Sequence, residues 1–283
     1  MFQGFNLKIN NDSHFDSPSE YEQILKSREE SVKKSLENFY NDEGLLNGDA
    51  LKKEWFPEIE GSHVFISHSS KDRELALKLA NWLYHEFKIE SFVDSTVWGF
   101  ADKLLKKIDN KYAYREETKD YSYEIRNYTT SHVHMMLSNA LNSMIERSEC
   151  LLFLNTENAI RNISLEEDRE QYTFSPWIMA ELQTSALIEK KQSPNSKRAF
   201  YSPESHTADL ERIVEKAKSF QMFHKANVKH LDKLNYENLK KWADHCNEDK
   251  GYDALTQLYR DHAKGCQNLY NLKEKPLDDT GTW

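Results

Sequence analysis

The stretch CLLFLNT, residues 150–156, limits the fold more than any other. Five successive apolar residues leave no polar face, so this strand must be covered on both sides, as at the centre of a parallel sheet. The preceding segment, SHVHMMLSNALNSMIERS, carries Val133, Met136, Leu137, Ala140, Leu141, Met144 and Ile145 at helical spacing. A buried helix thus runs straight into a buried strand. HVFISHSS (63–70) and IESFVDST (89–96) are further short β-branched runs, joined by KDRELALKLANWLYHEFK. In that linker Ala76, Leu79, Ala80, Leu83 and Phe87 share one face, and Ser69 or Ser70 supplies the helix cap. The alternation continues to about residue 245 and predicts α/β architecture, a parallel sheet with helices on both faces. For this length the five-stranded flavodoxin-like order is favoured over the six-stranded dinucleotide-binding one.

The flanks read differently. Residues 1–18 are polar and expected to be loosely ordered, 19–42 form an amphipathic helix, and 44–61 give a short helix between two breaks. The expected organisation is a helical extension over 1–60, a core domain over 61–245 and a helical extension over 246–283. Within the core, 97–130 read as a long polar insertion with one short helix, and 157–173 as a polar loop. KRAFYS (197–202) reads as a weak strand, LERIVEKAK (210–218) as a helix, QMFHKANVKHL as a short strand and turn, and NYENLKKWADH as a helix.

Composition excludes several functions. With a net charge of -9 and no basic stripe, nucleic acid is not an expected partner. No apolar run reaches membrane-span length, and MFQGFNLKIN lacks the features of a signal peptide. Three scattered cysteines fit a reducing, cytoplasmic setting, with Cys150 in the core. Only 8 glycines occur, none between Gly99 and Gly251, so neither a dinucleotide fingerprint nor a phosphate-binding P-loop is present. No metal-ligand spacing is found; His132 and His134 point to different sides of a helix.

The segment FSPWIMAEL (174–182) holds the chemistry. Ser175 is a good N-cap and Pro176 suits the first helical position, yet Glu181 falls among apolar residues. A carboxylate in such company is costly unless paired or used. In open parallel sheets, ligands sit beyond the carboxyl ends of the strands where the strand order reverses. The first and third strands end there at Ser67–Ser70 and Asn155–Thr156, and the Ser-Pro-Trp helix starts from the same edge. Glu181 can therefore face the crevice with His68 and Ser69, with Trp177 one turn earlier on its helix face. The alternatives are a solvated helix residue or an ion pair for Glu181, core packing for Trp177 and capping for Ser69 and Ser70.

VFISHSSKDRELALKLANWL resembles the first strand and helix of TIR domains, FVDST their second strand, and SPWIMAEL the helix bearing the glutamate of enzymatic members. VKHLDKLNYENLKKWAD resembles a bacterial TIR C-terminus, so the likeness spans about 63–245 in the expected order. The bacterial NAD-cleaving type, including the TIR subunit of Thoeris anti-phage defence, is the group most resembled. The resemblance implies cleavage of NAD, as substrate rather than cofactor, at its nicotinamide–ribose bond. It also implies an ADP-ribose-derived, in some members cyclic, signal for a separate effector, with self-association. Glu181 would be catalytic and ionised, holding ribose hydroxyls and offsetting oxocarbenium charge. His68, Ser69, Ser70, Asp94, Trp98 and Trp177 would line the substrate, with no metal. The rival expectation is a non-catalytic TIR interaction scaffold.

Overall fold

The computed structural model describes residues 3–9, 15, 17–31, 36–57, 61–165, 168–188, 222–246 and 248–263. KRAFYS and LERIVEKAK lie outside them.

Five strands form one parallel sheet: β1 (Gln3–Lys8), β2 (Val64–Ser67), β3 (Ser91–Val93), β6 (Cys150–Leu154) and β10 (Asp232–Asn235), in the order β3-β2-β6-β1-β10. Register is fixed by Val64 opposite both Ser91 and Cys150, Phe5 opposite Leu152, and Leu7 opposite Leu234. As expected, all five residues of β6 are buried.

Side chains alternate between two cores. Val64, Ile66, Cys150, Leu152 and Leu154 face one side, covered by α1 (Glu20–Ser31), α3 (Arg73–Phe87), α7 (Tyr236–His245) and α8 (Tyr252–His262). Phe65, Phe92, Leu151 and Phe153 face the other, covered by α2 (Gly48–Trp55), α4 (Ser95–Tyr112), α5 (Tyr123–Arg147) and α6 (Pro176–Leu187). This period of two is what a strand between helical layers requires. Among the described residues no helix is long and apolar enough to cross a membrane.

The N-terminus corrects one expectation. Gln3–Lys8 is a sheet strand, not a loose segment, and it fills the place between β6 and β10 that the fourth strand takes in a flavodoxin-like order. Phe5 and Leu7 are fully buried, and the alternation Phe5-Asn6-Leu7-Lys8-Ile9 is a strand pattern that polar composition obscured. The sheet therefore draws strands from both sides of position 61. Tyr21, on α1, ties this end down further. Its hydroxyl donates to Ser91 O at 2.7 Å and accepts from Ser91 N at 2.8 Å.

Two loops are also corrected. Residues 97–130 contain most of α4, whose Phe100, Ala101, Leu104 and Ile108 are buried, then the hairpin β4 (Tyr114–Arg115) and β5 (Asp120–Tyr121), then the start of α5. The apolar stripe of α4 was hidden among its lysines. Residues 161–173 form a hairpin, β7 (Arg161–Leu165) with β8 (Asp168–Thr173), extended by β9 (His224–Lys225).

Candidate functional site

The carboxyl ends of β2 and β3 meet the second turn of α6. That helix starts as its sequence dictates: Ser175 Oγ accepts from Ile178 N at 3.3 Å, with Pro176 in the first turn. Its buried face, Ile178, Glu181, Leu182 and Ser185, packs on the sheet beside α5. Glu181 is consequently only 2% exposed. It is not turned to solvent, and among the described residues no base pairs with it. Ser67 Oγ donates to its Oε2 at 2.6 Å, and Asp94 stands against it from the end of β3.

This arrangement decides the charge. Burial, then the negative charge of Asp94 beside it, push the Glu181 carboxyl well above the usual carboxylate range; the Ser67 bond opposes this but does not prevail. Glu181 therefore keeps its proton to a higher pH than an ordinary carboxyl does.

Asp94 itself is fully buried, and its Oδ1 lies 2.6 Å from Nδ1 of His68, also fully buried. That contact is close but poorly aligned, since neither Asp94 oxygen makes a well-directed hydrogen bond; it acts chiefly as charge against charge. Burial alone would lower the His68 pKa, but the charge and hydrogen bond of Asp94, the Ile66 carbonyl and the charge of Asp72 together raise it. The other ring nitrogen, Nε2, meets Ser95 Oγ at 2.9 Å.

The remaining expected residues separate. Ser69 is the cap, accepting from Lys71 N at 3.4 Å, whereas Ser70 is exposed in the following turn. Trp98 sits in the first turns of α4, and its side chain falls outside the described set. Trp177 is half-buried, packed edge-on against the His134 ring with centroids 5.8 Å apart. Sequence reasoning missed Ser67 and Ser95. Nothing local marks them, because their partners lie 114 and 27 residues away.

The junction of β2 and β6 is bridged rather than open. Asp72 accepts from Thr156 Oγ1 at 2.5 Å and from Asn158 Nδ2 at 2.7 Å. Beyond it a cavity of about 1470 Å3 runs over the ends of β6, β1 and β10, lined by Asn6, Lys8, Asp72, Thr156 and Asn235 among others. Glu181, His68 and Asp94 do not line it. Among the described residues no group of three His, Cys, Asp or Glu is placed to hold a metal ion.

The chain is thus an α/β protein with a five-stranded parallel sheet and a buried acid–histidine–serine cluster at the carboxyl end of β2 and β3. Set against family models, curated proteins and solved structures, its sequence has no match.

Proposed function

We propose that the chain is a TIR-like, NAD-consuming enzyme. It would cleave the nicotinamide–ribose bond and produce nicotinamide plus an ADP-ribose-derived signal for a separate effector in bacterial anti-phage defence. One observation carries the reading: the carboxyl of Glu181 is set into the carboxyl edge of the sheet, against Ser67 and Asp94, with no basic partner among the described residues. A purely structural carboxyl in that place is costly.

Cationic nicotinamide is a good leaving group, so catalysis needs mainly stabilisation of an oxocarbenium-like ribose. A cation brought beside Glu181 reverses the balance that keeps it protonated. The proton leaves, and the two carboxylates then face the developing positive charge. Because Glu181 is 2% exposed, substrate access requires displacement of the side chains covering it. The same closure favours a second reading, an interaction module whose acid cluster only specifies packing.

Chromatographic measurement of nicotinamide released from NAD separates the two, using both dilute and concentrated, self-assembled protein. The enzyme reading expects release that falls at least ~100-fold in Glu181→Gln, the scale of losing one electrostatic stabiliser. Absence of release from every form, or equal release by the variant, supports the interaction module instead.

A further inference from the structure

The cluster contains a second connectivity, through Ser95, that the NAD-cleavage reading leaves unused. Ser95 Oγ lies 2.9 Å from His68 Nε2, and His68 Nδ1 lies 2.6 Å from Asp94 Oδ1. A hydroxyl on one ring nitrogen and a carboxylate charge against the other, here close but poorly directed, are the parts that turn serine into a nucleophile. We propose that Ser95 is an acyl-accepting nucleophile, with His68 its base and Asp94 the positioning residue, acting on small carboxylic esters.

Three further features fit that role. Ser95 stands where a parallel strand passes into a helix, at the carboxyl edge of the sheet, which is where α/β hydrolases place their nucleophile. It is half-buried, while His68 and Asp94 behind it are fully buried, so the hydroxyl is the outward end of the relay. It also opens α4, an 18-residue helix that receives no side-chain cap from Asp94. The first backbone N–H groups of that helix, including that of Thr96, lack intrahelical acceptors and carry the positive end of its dipole. In the proposed reaction they would stabilise the oxyanion that forms on the acyl carbonyl oxygen when Ser95 attacks.

The reaction balances with water alone. Ser95 Oγ attacks the acyl carbon and its proton passes to His68 Nε2. The bond to the alcohol oxygen breaks, and the alcohol leaves with that proton. Water, deprotonated by His68, then attacks the acyl-serine, releasing the carboxylic acid and restoring the hydroxyl.

The groups that set the His68 charge are Asp94 from β3, Asp72 from the turn before α3, and, through Asp94, the carboxyl of Glu181 from α6. Their sum holds the imidazole cationic to a higher pH than the ordinary 6.5, and a cationic ring cannot accept the proton. Reactivity of Ser95 must then rise with pH through a midpoint above 6.5.

The test treats the full chain with a fluorophosphonate, which loses fluoride to a serine oxygen, and maps the adduct by peptide mass spectrometry. A single adduct on Ser95 is expected. It should be absent in Ser95→Ala and slowed at least ~100-fold in His68→Gln, the usual worth of a general base. Hydrolysis of p-nitrophenyl acetate should follow the same pattern. The pH profile of labelling needs no variant, so it decides the matter even where His68→Gln fails to fold. A folded wild type unlabelled at Ser95 at alkaline pH overturns the proposal, as does labelling independent of pH above 6.5. Neither readout involves NAD, so a failed NAD assay leaves this proposal standing, and the converse holds.

Discussion

Replacing Glu181 by Gln should make the protein more stable, increasingly so as pH rises. The unfolded chain releases the Glu181 proton near the ordinary value of 4.5, whereas the fold retains it well above that. Over that interval the native state binds one proton more than the unfolded state, so stability falls with pH. The slope for one proton is about 1.4 kcal/mol per pH unit. Full burial of the group leaves little solvent to dilute it. Glutamine cannot ionise, and its amide can still accept from Ser67 and donate to Asp94. The difference, variant minus wild type, should therefore climb by about 1.4 kcal/mol per unit from just above 4.5 and level off at the folded pKa of Glu181. Urea melts followed by tryptophan fluorescence, at pH steps across the interval, measure it directly. The raised pKa of His68 also drains stability as pH rises, but His68 and Asp94 remain in both proteins. A difference that stays flat with pH would show that Glu181 is ionised in the fold, and the charge assignment of the whole cluster would fail.

Three other outcomes are expected. Phe5→Ala should cost about 3–5 kcal/mol in the same urea melts, because Phe5 is fully buried in the strand between β6 and β10; an unchanged midpoint would place that strand outside the cooperative unit. Tyr21→Phe should cost about 1–3 kcal/mol, since it strips both backbone groups of buried Ser91 of the tyrosine hydroxyl, and an effect below a few tenths would deny that contact. Calorimetric titration of NAD in phosphate and in Tris should give different heats, reporting a proton released as the cation reaches Glu181; equal heats would separate binding from that group.

Several elements between His63 and the Ser-Pro-Trp helix were legible because their signals are local. A short apolar, β-branched run marks β2, a longer apolar run marks β6, and Ser175-Pro176 marks the start of α6. Glu181 was conspicuous for the same reason, a charge in an apolar helix face. The lysine-rich exterior of α4 and the charged run of the 161–173 hairpin masked elements whose apolar sides meet the core. Where two faces of one element differ, composition averages them away.

The sequence by itself determined the strands and helices whose apolar pattern is local, such as β2, α3, β6 and α6, and that one carboxyl would have to be accommodated inside. Only the tertiary structure decided that the first residues of the chain complete the sheet, because strand pairing is a contact between segments 142 or more residues apart (Gln3–Lys8 with Cys150–Leu154 and Asp232–Asn235). It alone decided that the Glu181 pKa is pushed up and that Ser95, His68 and Asp94 come together. A pKa is set by the charges and solvent around a group in space, and neither is written in the residues beside it along the chain.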